Sequence, residues 1–229
     1  MTADTVVRID CHVHTRASFD ASEPVGRVLE SAADAGLDGV VVTDHDCIVN
    51  SREAAERAPA YGLVGIPGVE VSTADGHLLA IGVDSRPPAG RPFEATVATV
   101  RDRGGIAVVP HPFQRSRHGV RMGTITDCDG IEVFNAHSLT GVRNRQATAF
   151  ARRRGCPRFG GSDAHRAHVV GRAYTAVDVE CPDPTAGDVL DAMRAGRTRA
   201  GGTSMPTGRY VNKWAQTAKL KSASLFRLG

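Results

Sequence analysis

The sequence predicts an α/β fold built as a single barrel-type domain, and three observations lead to this prediction. Short runs rich in Val and Ile alternate along the chain with longer stretches of helical periodicity. With 229 residues, 41% of them hydrophobic, the chain can build one sizeable core, and α/β barrels of this length are routinely single domains. Side chains that can bind metals recur where the apolar runs end, which is where barrel enzymes assemble their active sites.

Eight apolar runs are candidate strands. In chain order they are VVRID, GVVVTD, LVGIPGVEV, HLLAIGV, GIAVVP, GIEVFN, PRFGGSD and AYTAVDVE. The segment EPVGRVLESAADAG has Pro24 near its start and Gly36 at its end, and RPFEATVATVRDRGG is punctuated in the same way. Both segments therefore predict helices. Strands that alternate with helices predict βα units around a parallel sheet.

Two regions depart from this alternation. The stretch from Phe113 to Cys128 is polar, basic and weakly periodic, and it predicts a long loop of the kind that is usually functional. Residues 201–229 begin with Gly and Ser and carry five Lys or Arg residues after Thr207. We therefore divide the chain into a barrel domain over residues 1–200 and a basic tail or packing helix over residues 201–229.

Composition and cysteine usage exclude several classes of protein. The net charge of +3 is smaller than a dedicated nucleic-acid binder would carry. The five cysteines include no C-x-x-C pair, so neither a disulfide framework nor a thiolate zinc site is predicted. No apolar stretch is long enough to cross a membrane and the N-terminus lacks a signal sequence, so we expect a cytoplasmic protein with no membrane partner.

The segment RIDCHVH places Asp10, His12 and His14 at every second position where the first apolar run ends. Side chains alternate between the two faces of an extended strand, so these three groups share one face, and Cys11 and Val13 share the other. Further polar residues follow later runs: Asp44 and His45 in TDHD, Glu70 in GVE, His111 in PHP, Asn135 and His137 in FNAH, and Asp163 and His165 in GSDAH.

Imidazoles and carboxylates without thiolates suit Zn²⁺, Mn²⁺ or Fe²⁺, and a carboxylate bridge lets two cations lie roughly 3.5 to 4 Å apart. Such a cluster can generate a metal-bound hydroxide near neutral pH and neutralise charge on a phosphoryl group. Hydrolysis of phosphate esters needs both. We interpret Asp10 and Asp44, which lie close in sequence to candidate ligands, as carboxylates that orient imidazoles.

The motifs DCHVH, TDHD, GVE, PHP and GSDAH occur in this order over residues 10 to 165, and together they resemble the signature of the PHP (polymerase and histidinol phosphatase) family. This resemblance implies a distorted seven-stranded (β/α) barrel that holds two or three divalent metals and hydrolyses phosphoester bonds. Carried over by position, it assigns one metal to His12, His14, Glu70 and Asp163, a second to Glu70, His111 and Asn135, and a third to Asp20, His45 and His165. Of these, we expect Glu70, His111, Asp163 and His165 to carry the catalysis.

Asn135 stands where many relatives have His or Cys, and an amide oxygen is a poorer zinc ligand. The second site is therefore either loose, completed by water, or filled by a harder ion such as Mn²⁺, and His137 is an alternative ligand. His77 is interpreted as a structural residue or one that supports the ligands.

Arg115 and Arg117 follow His111, and Arg16 follows the first motif, so all three are candidates for binding phosphate oxygens. The leading hypothesis is a metal-dependent phosphoesterase that acts on a small phosphomonoester, such as a nucleotide or a sugar or amino-alcohol phosphate. The second is a nuclease or phosphodiesterase that trims short RNA or DNA. The third is a non-catalytic, metal-stabilised module that serves a partner protein.

Overall fold

The computed structural model describes residues 5–138 and 140–204, so most of the predicted C-terminal tail lies outside the described residues. In the described part, nine strands form one nearly closed sheet, in the order β7-β6-β5-β4-β3-β2-β1-β8-β9. The strands are β1 (Thr5–Val13), β2 (Gly39–Val42), β3 (Val64–Thr73), β4 (Gly76–Ile81), β5 (Ile106–Val109), β6 (Gly130–Asn135), β7 (Arg158–Gly161), β8 (Ala173–Val179) and β9 (Thr198–Gly202). The α-helices are α1 (Val25–Asp34), α2 (Val49–Arg57), α3 (Phe93–Asp102), α4 (Val142–Arg154) and α5 (Ala186–Arg194).

The sheet is mixed, which corrects the prediction of a parallel sheet. Strands β1, β2 and β3 pair in parallel, as do β5, β6 and β7. Strand β4 is antiparallel to both of its neighbours, and β8 is antiparallel to β1 and β9. The sheet also has nine strands where the family resemblance implies seven. Strand β9 runs across the predicted boundary between the barrel domain and the tail, and its sequence TRAGG lacks the Val and Ile that indicate a strand.

Strand β7, at one end of the sheet, approaches β8 and β9, at the other end, at a glycine. The Gly160 N–H in β7 donates a hydrogen bond of 3.0 Å to the Thr175 hydroxyl in β8. A Cβ atom on Gly160 would lie 2.5 Å from the Tyr174 carbonyl oxygen, so only glycine allows this approach. The barrel therefore closes where β7 meets β8 and β9.

The predicted helices form where the sequence signals place them. The buried residues of α1 are Val25, Val28, Leu29 and Ala32, which is the spacing of one helical face. Helix α5 begins with a capping box, in which the Thr185 side chain accepts from the Asp188 N–H and the Asp188 carboxylate accepts from the Thr185 N–H. None of the helices described is long and apolar enough to cross a membrane.

One rim of the barrel collects the polar motifs. The parallel strands end at this rim, and the residues that follow β1, β2, β5 and β7 point into it. Because β4 runs antiparallel to β3, its first residues lie at the same rim as the end of β3, with Ser72 opposite His77. Both the parallel strands and the antiparallel strand β4 therefore contribute residues to this rim.

Candidate metal centre at the barrel rim

Glu70 lies at the centre of the rim, and its carboxylate is 1% exposed. Five imidazoles surround it. Its Oε2 lies 3.2 Å from His12 Nε2, 3.3 Å from His14 Nε2 and 3.3 Å from His45 Nδ1, and its Oε1 lies 2.8 Å from His77 Nδ1 and 3.1 Å from His111 Nε2. A carboxylate with both oxygens facing imidazoles is suited to bridge two cations.

Asp163 is a second buried carboxylate in the same cluster. Its Oδ1 lies 3.5 Å from His14 Nε2, 3.7 Å from His12 Nε2 and 3.5 Å from His165 Nδ1. Its backbone φ of 56° is in the left-handed region, which is costly for a residue with a side chain. The Asp163 N–H donates to the His12 carbonyl at 2.8 Å, and this bond holds the strained residue beside β1.

Asp20 and His165 complete the outer edge of the cluster. The His165 Nε2 lies 2.8 Å from Asp20 Oδ2, and the His45 Nε2 lies 3.6 Å from the same oxygen. Five overlapping groups have ligand atoms close enough to share an ion: His14–Asp20–His45–His165, His12–His111–Asp163, His12–His14–Glu70, His45–Glu70–His77 and His137–Asp163–His165. All eight candidate His, Asp and Glu ligands are therefore brought together.

The electrostatics of the cluster follow from burying acids beside imidazoles. Burial alone would raise the pKa of Glu70, but the neighbouring imidazoles of His12, His111 and His14 hold that pKa well below its usual value. Burial would lower the pKa of His14, yet Asp163 and Glu70 raise it to about 9. The buried carboxylates are thus held in their ionised form by neighbouring positive charge, which imidazolium groups or metal ions can supply.

Three buried imidazole nitrogens without hydrogen-bond partners among the described residues indicate that metal ions fit this cluster. The buried atoms His14 Nε2, His45 Nδ1 and His111 Nδ1 make no hydrogen bond within the described part of the chain. Buried polar atoms are nearly always satisfied, so these nitrogens are available to bind metal ions, which take an imidazole nitrogen in place of its proton. The donor set of imidazoles and carboxylates fits Zn²⁺, Mn²⁺ or Fe²⁺.

Two residues of the cluster were not assigned as metal ligands from the sequence: His77, which was interpreted as a structural or supporting residue, and Glu132, which was not assigned a role. His77 joins His45 and Glu70 in a group that could hold an ion. Glu132 is 1% exposed, and its Oε1 lies 3.1 Å from the His12 Nδ1. The signal for Glu132 was present, because a carboxylate between Ile131 and Val133 in the middle of a strand is out of place in an apolar run.

The role expected for Asp10 differs in the structure. Its carboxylate accepts hydrogen bonds from the backbone N–H groups of His12, Ser162 and Gly171, and no imidazole is among its hydrogen-bond partners in the described residues. Burial raises the pKa of Asp10 to about 6, against the effect of these bonds. Asp10 therefore fixes the backbone of β1 against the residues that follow β7, and Glu132 is the carboxylate that contacts an imidazole.

Asp44 reaches an imidazole through one intermediary. Its Oδ1 accepts from the Ser18 hydroxyl at 3.0 Å, and the Ser18 Oγ lies 3.1 Å from the His14 Nδ1. The same carboxylate also accepts from the Thr15 N–H and hydroxyl, both at 2.6 Å. Asp44 thus fixes the loop that orients His14.

Asn135 is held in an arrangement that differs from the one expected of a ligand. Its side-chain amide donates to Glu132 at 2.9 Å and to Asp163 at 3.0 Å. Its oxygen accepts from the His137 N–H at 2.9 Å and lies 3.4 Å from an Arg117 nitrogen. The amide therefore braces two carboxylates, and His137 is the neighbour that groups with Asp163 and His165.

The three arginines named from the sequence occupy different places. Arg117 Nη2 lies 2.5 Å from Asp163 Oδ2, so its charge is directed into the cluster. Arg115 is exposed and lines a cleft of about 470 Å³ that also includes His77 and Phe19. We call this space the rim cleft. Arg16 is exposed and is not among the residues that line it.

Comparison with known proteins places this site in a family. A model of the PHP domain matches residues 10–144, and a model described as PHP-associated matches residues 141–198. The chain belongs to the PHP family. The match to the PHP domain covers more than half of the chain and includes most of the rim residues.

The chain is similar to individual proteins over different shares of its length. The uncharacterized protein MJ1587 of Methanocaldococcus jannaschii is 29% identical over 153 residues, which are 62% of this chain and 89% of that protein. The 3',5'-nucleoside bisphosphate phosphatase of Chromobacterium violaceum is 36% identical over 88 residues, 37% of this chain and 30% of the relative. A two-domain protein of Bacteroides vulgatus with a predicted PHP-like metal-dependent phosphoesterase has a TM-score of 0.74 at 20% identity, covering 87% of this chain and 66% of that one.

These findings confirm three predictions made from the sequence: the PHP family, an α/β barrel fold, and a phosphoric ester hydrolase. The assignment of individual residues to metals, catalysis and substrate stays a prediction that the geometry makes testable.

Proposed function

We propose that this PHP protein is a metal-dependent phosphatase that releases inorganic phosphate from a small phosphomonoester. The observation that carries the proposal is the cluster around Glu70, in which five imidazoles face one buried carboxylate. His77 belongs both to this cluster and to the lining of the rim cleft, so the two adjoin. A cleft of about 470 Å³ matches the size of small-molecule sites. The name of the Chromobacterium violaceum relative, a nucleoside bisphosphate phosphatase, supports this class of substrate.

Divalent ions bound here would supply an activated water and would neutralise charge on the phosphoryl group. His12, His14, Glu70, His111 and Asp163 would hold the inner ions, and Asp20, His45 and His165 would hold a further one. His77 and His137 are additional candidates, and they offer imidazoles where Asn135 offers only an engaged amide.

The residues of the chain provide positioning and charge. Arg117 is directed at the cluster by its ion pair with Asp163, so its positive charge lies where a phosphoryl group at the metal centre would need it. Arg115 stands at the wall of the rim cleft, where a guanidinium would clamp the non-bridging oxygens of a terminal phosphate. A monoester offers two charges to these groups, whereas a diester offers one.

A pair of variants tests the proposal. Glu70→Gln removes the charge shared by five imidazoles, so we expect loss of bound metal and a fall in activity of several orders of magnitude. Cys11→Ser is the control, because Cys11 is a buried neighbour of His12 whose thiol faces the Ile9 carbonyl. The measurement is phosphate release from a panel of small monophosphates with added Mn²⁺ or Zn²⁺. Equal tolerance of both substitutions would refute the proposed centre.

A nuclease is the second candidate, and one observation favours it. Phe19 is 88% exposed and stacks on His45 with 5.0 Å between ring centroids and an interplanar angle of 22°. An exposed aromatic ring at the mouth of the site could stack on a nucleobase. If this reading is right, oligonucleotides outcompete mononucleotides and the advantage falls steeply with salt. The intact cluster of ionisable groups argues against a non-catalytic module.

A further inference from the structure

A second cleft lies beside the rim cleft, between α4 and the loop formed by residues 113–128. It has a volume of about 370 Å³, and four arginines line it together with Phe113, Met122, Gln146 and Ala149. Arg143 and Arg153 come from α4, on the same helical face as Gln146 and Ala149. Arg115 and Arg121 come from the loop. We call this space the arginine cleft.

The charges of the arginine cleft are not balanced by protein groups. No carboxylate is among its lining residues, and none of its four arginines makes an ion pair within the described part of the chain. Several exposed arginines elsewhere pair with a carboxylate: Arg101 with Asp127, Arg194 with Asp191, and Arg199 with Asp178. Four guanidinium groups around one concave space repel each other, and a bound anion would remove that repulsion.

The arginine cleft continues into the candidate active site. Arg115 and Arg121 line both clefts, and the rim cleft contains His77, whose Nδ1 lies 2.8 Å from Glu70 Oε1. A molecule with one phosphate at the metal centre can therefore extend past Arg115 into the arginine cleft. Each cleft lies within the size range of small-molecule sites.

We propose that the arginine cleft binds a second phosphoryl group of the substrate, so that the preferred substrates are small molecules with two phosphates. This proposal rests on the proposed phosphatase function and specifies its substrate class. Guanidinium groups bind phosphate oxygens through paired, charge-assisted hydrogen bonds, and several of them can share the charge of one phosphoryl group.

The lining of the arginine cleft favours a compact anion over a nucleic-acid strand. Its one aromatic residue, Phe113, is 9% exposed and packs edge-on against Phe150 with 5.5 Å between centroids. No ring face in this lining is therefore open for a base to stack on, and single-strand binders depend on such faces.

The test compares two matched pairs of substrates: fructose 6-phosphate with fructose 1,6-bisphosphate, and adenosine 5'-monophosphate with adenosine 3',5'-bisphosphate. Phosphate release is measured for the metal-loaded wild type and for two double variants. Arg143→Gln with Arg153→Gln removes two charges from the arginine cleft. Arg145→Gln with Arg152→Gln removes two charges from exposed positions of α4 outside its lining, and serves as the matched control.

We expect the wild type to prefer at least one bisphosphate over its monophosphate. The preference should fall roughly tenfold or more in the Arg143/Arg153 variant, mainly through KM, because each lost guanidinium–phosphate contact is a charge-assisted hydrogen bond. The control variant should keep the wild-type preference. Equal kcat/KM for both members of each pair, or an equal loss of preference in both variants, overturns the proposal. A short oligonucleotide that outcompetes every bisphosphate also overturns it.

Failure of the phosphatase function is distinguishable from failure of the subsite. If no compound releases phosphate, the proposed function is wrong, and calorimetric binding of adenosine 3',5'-bisphosphate to the same three proteins then decides the subsite. Binding that weakens in the Arg143/Arg153 variant alone supports the arginine cleft as an anion site. Binding that is equal in all three proteins, or absent from the wild type, refutes it.

Discussion

The substitution Glu132→Gln tests how the cluster is held in a metal-competent state. The Glu132 carboxylate has three contacts: Oε1 lies 3.1 Å from His12 Nδ1, and Oε2 accepts from the His111 N–H at 2.6 Å and from the Asn135 amide at 2.9 Å. Two of these partners are obligate donors. A glutamine must therefore turn its oxygen to His111 and Asn135 and its NH₂ group to His12.

This orientation forces His12 into the wrong tautomer. Its Nδ1 must then accept a hydrogen bond, so its proton lies on Nε2, the atom that faces Glu70 Oε2 at 3.2 Å. A protonated Nε2 cannot ligate a metal, and loss of such a supporting carboxylate typically lowers metal affinity by about 10- to 100-fold. Stability without metal should fall by only about 1 to 2 kcal/mol, since a charge-assisted hydrogen bond becomes a neutral one.

The assay is competition with a chelator for metal affinity, with thermal unfolding of the metal-free protein measured in parallel. Glu53→Gln is the matched control, because Glu53 is exposed and paired with Arg57 on α2, away from the rim. Metal affinity within twofold of the wild type for Glu132→Gln would refute the reasoning about the His12 tautomer.

Three further predictions concern substrate binding, packing and helix capping. Arg115→Ala should raise KM for monophosphates with a smaller effect on kcat, since Arg115 lines the rim cleft without contacting the cluster; steady-state kinetics would contradict this if kcat alone fell. Gly161→Ala should reduce both metal content and melting temperature, because the added Cβ would lie 2.5 Å from the His12 Cβ and 2.6 Å from Glu132 Oε1. Unchanged metal content would show that the site tolerates the methyl group. Thr185→Ala should lower the free energy of unfolding by about 1 kcal/mol, measured with denaturant, because the N-cap of α5 is lost, and it should leave kcat/KM unchanged. The control Thr203→Ala, beyond β9, should lower the free energy of unfolding by less.

Most of the fold could be predicted because its local signals agree with its packing. Every predicted Val/Ile-rich run is a strand, and α1 and α3 form where Pro and Gly punctuate the sequence. The antiparallel placement of β4 could not be predicted, because an apolar run of six residues carries no information on the direction of its neighbour. Strand β9 was missed because it pairs through its backbone while its side chains are largely polar or absent.

The candidate site was predictable where ligands lie near the ends of parallel strands or just after them, and less so at other positions. His12, His14, His45, His111, Asp163 and His165 converge because parallel strands end at one rim. His77 joins them only because β4 reverses direction and returns to the end of β3. The roles of Asp10 and Glu132 depend on which side chain crosses the barrel interior, and sequence spacing does not specify that contact.

The metal content of the protein tests the central claim most directly. Elemental analysis of protein purified without chelator should find at least two divalent transition-metal ions per chain in the wild type, because one bridging carboxylate with five imidazoles can hold a pair. Glu70→Gln should fall below one ion per chain, and Cys11→Ser should match the wild type. Fewer than one ion per wild-type chain, with a melting temperature unchanged by added Mn²⁺ or Zn²⁺, would contradict the account of the rim as a metal centre.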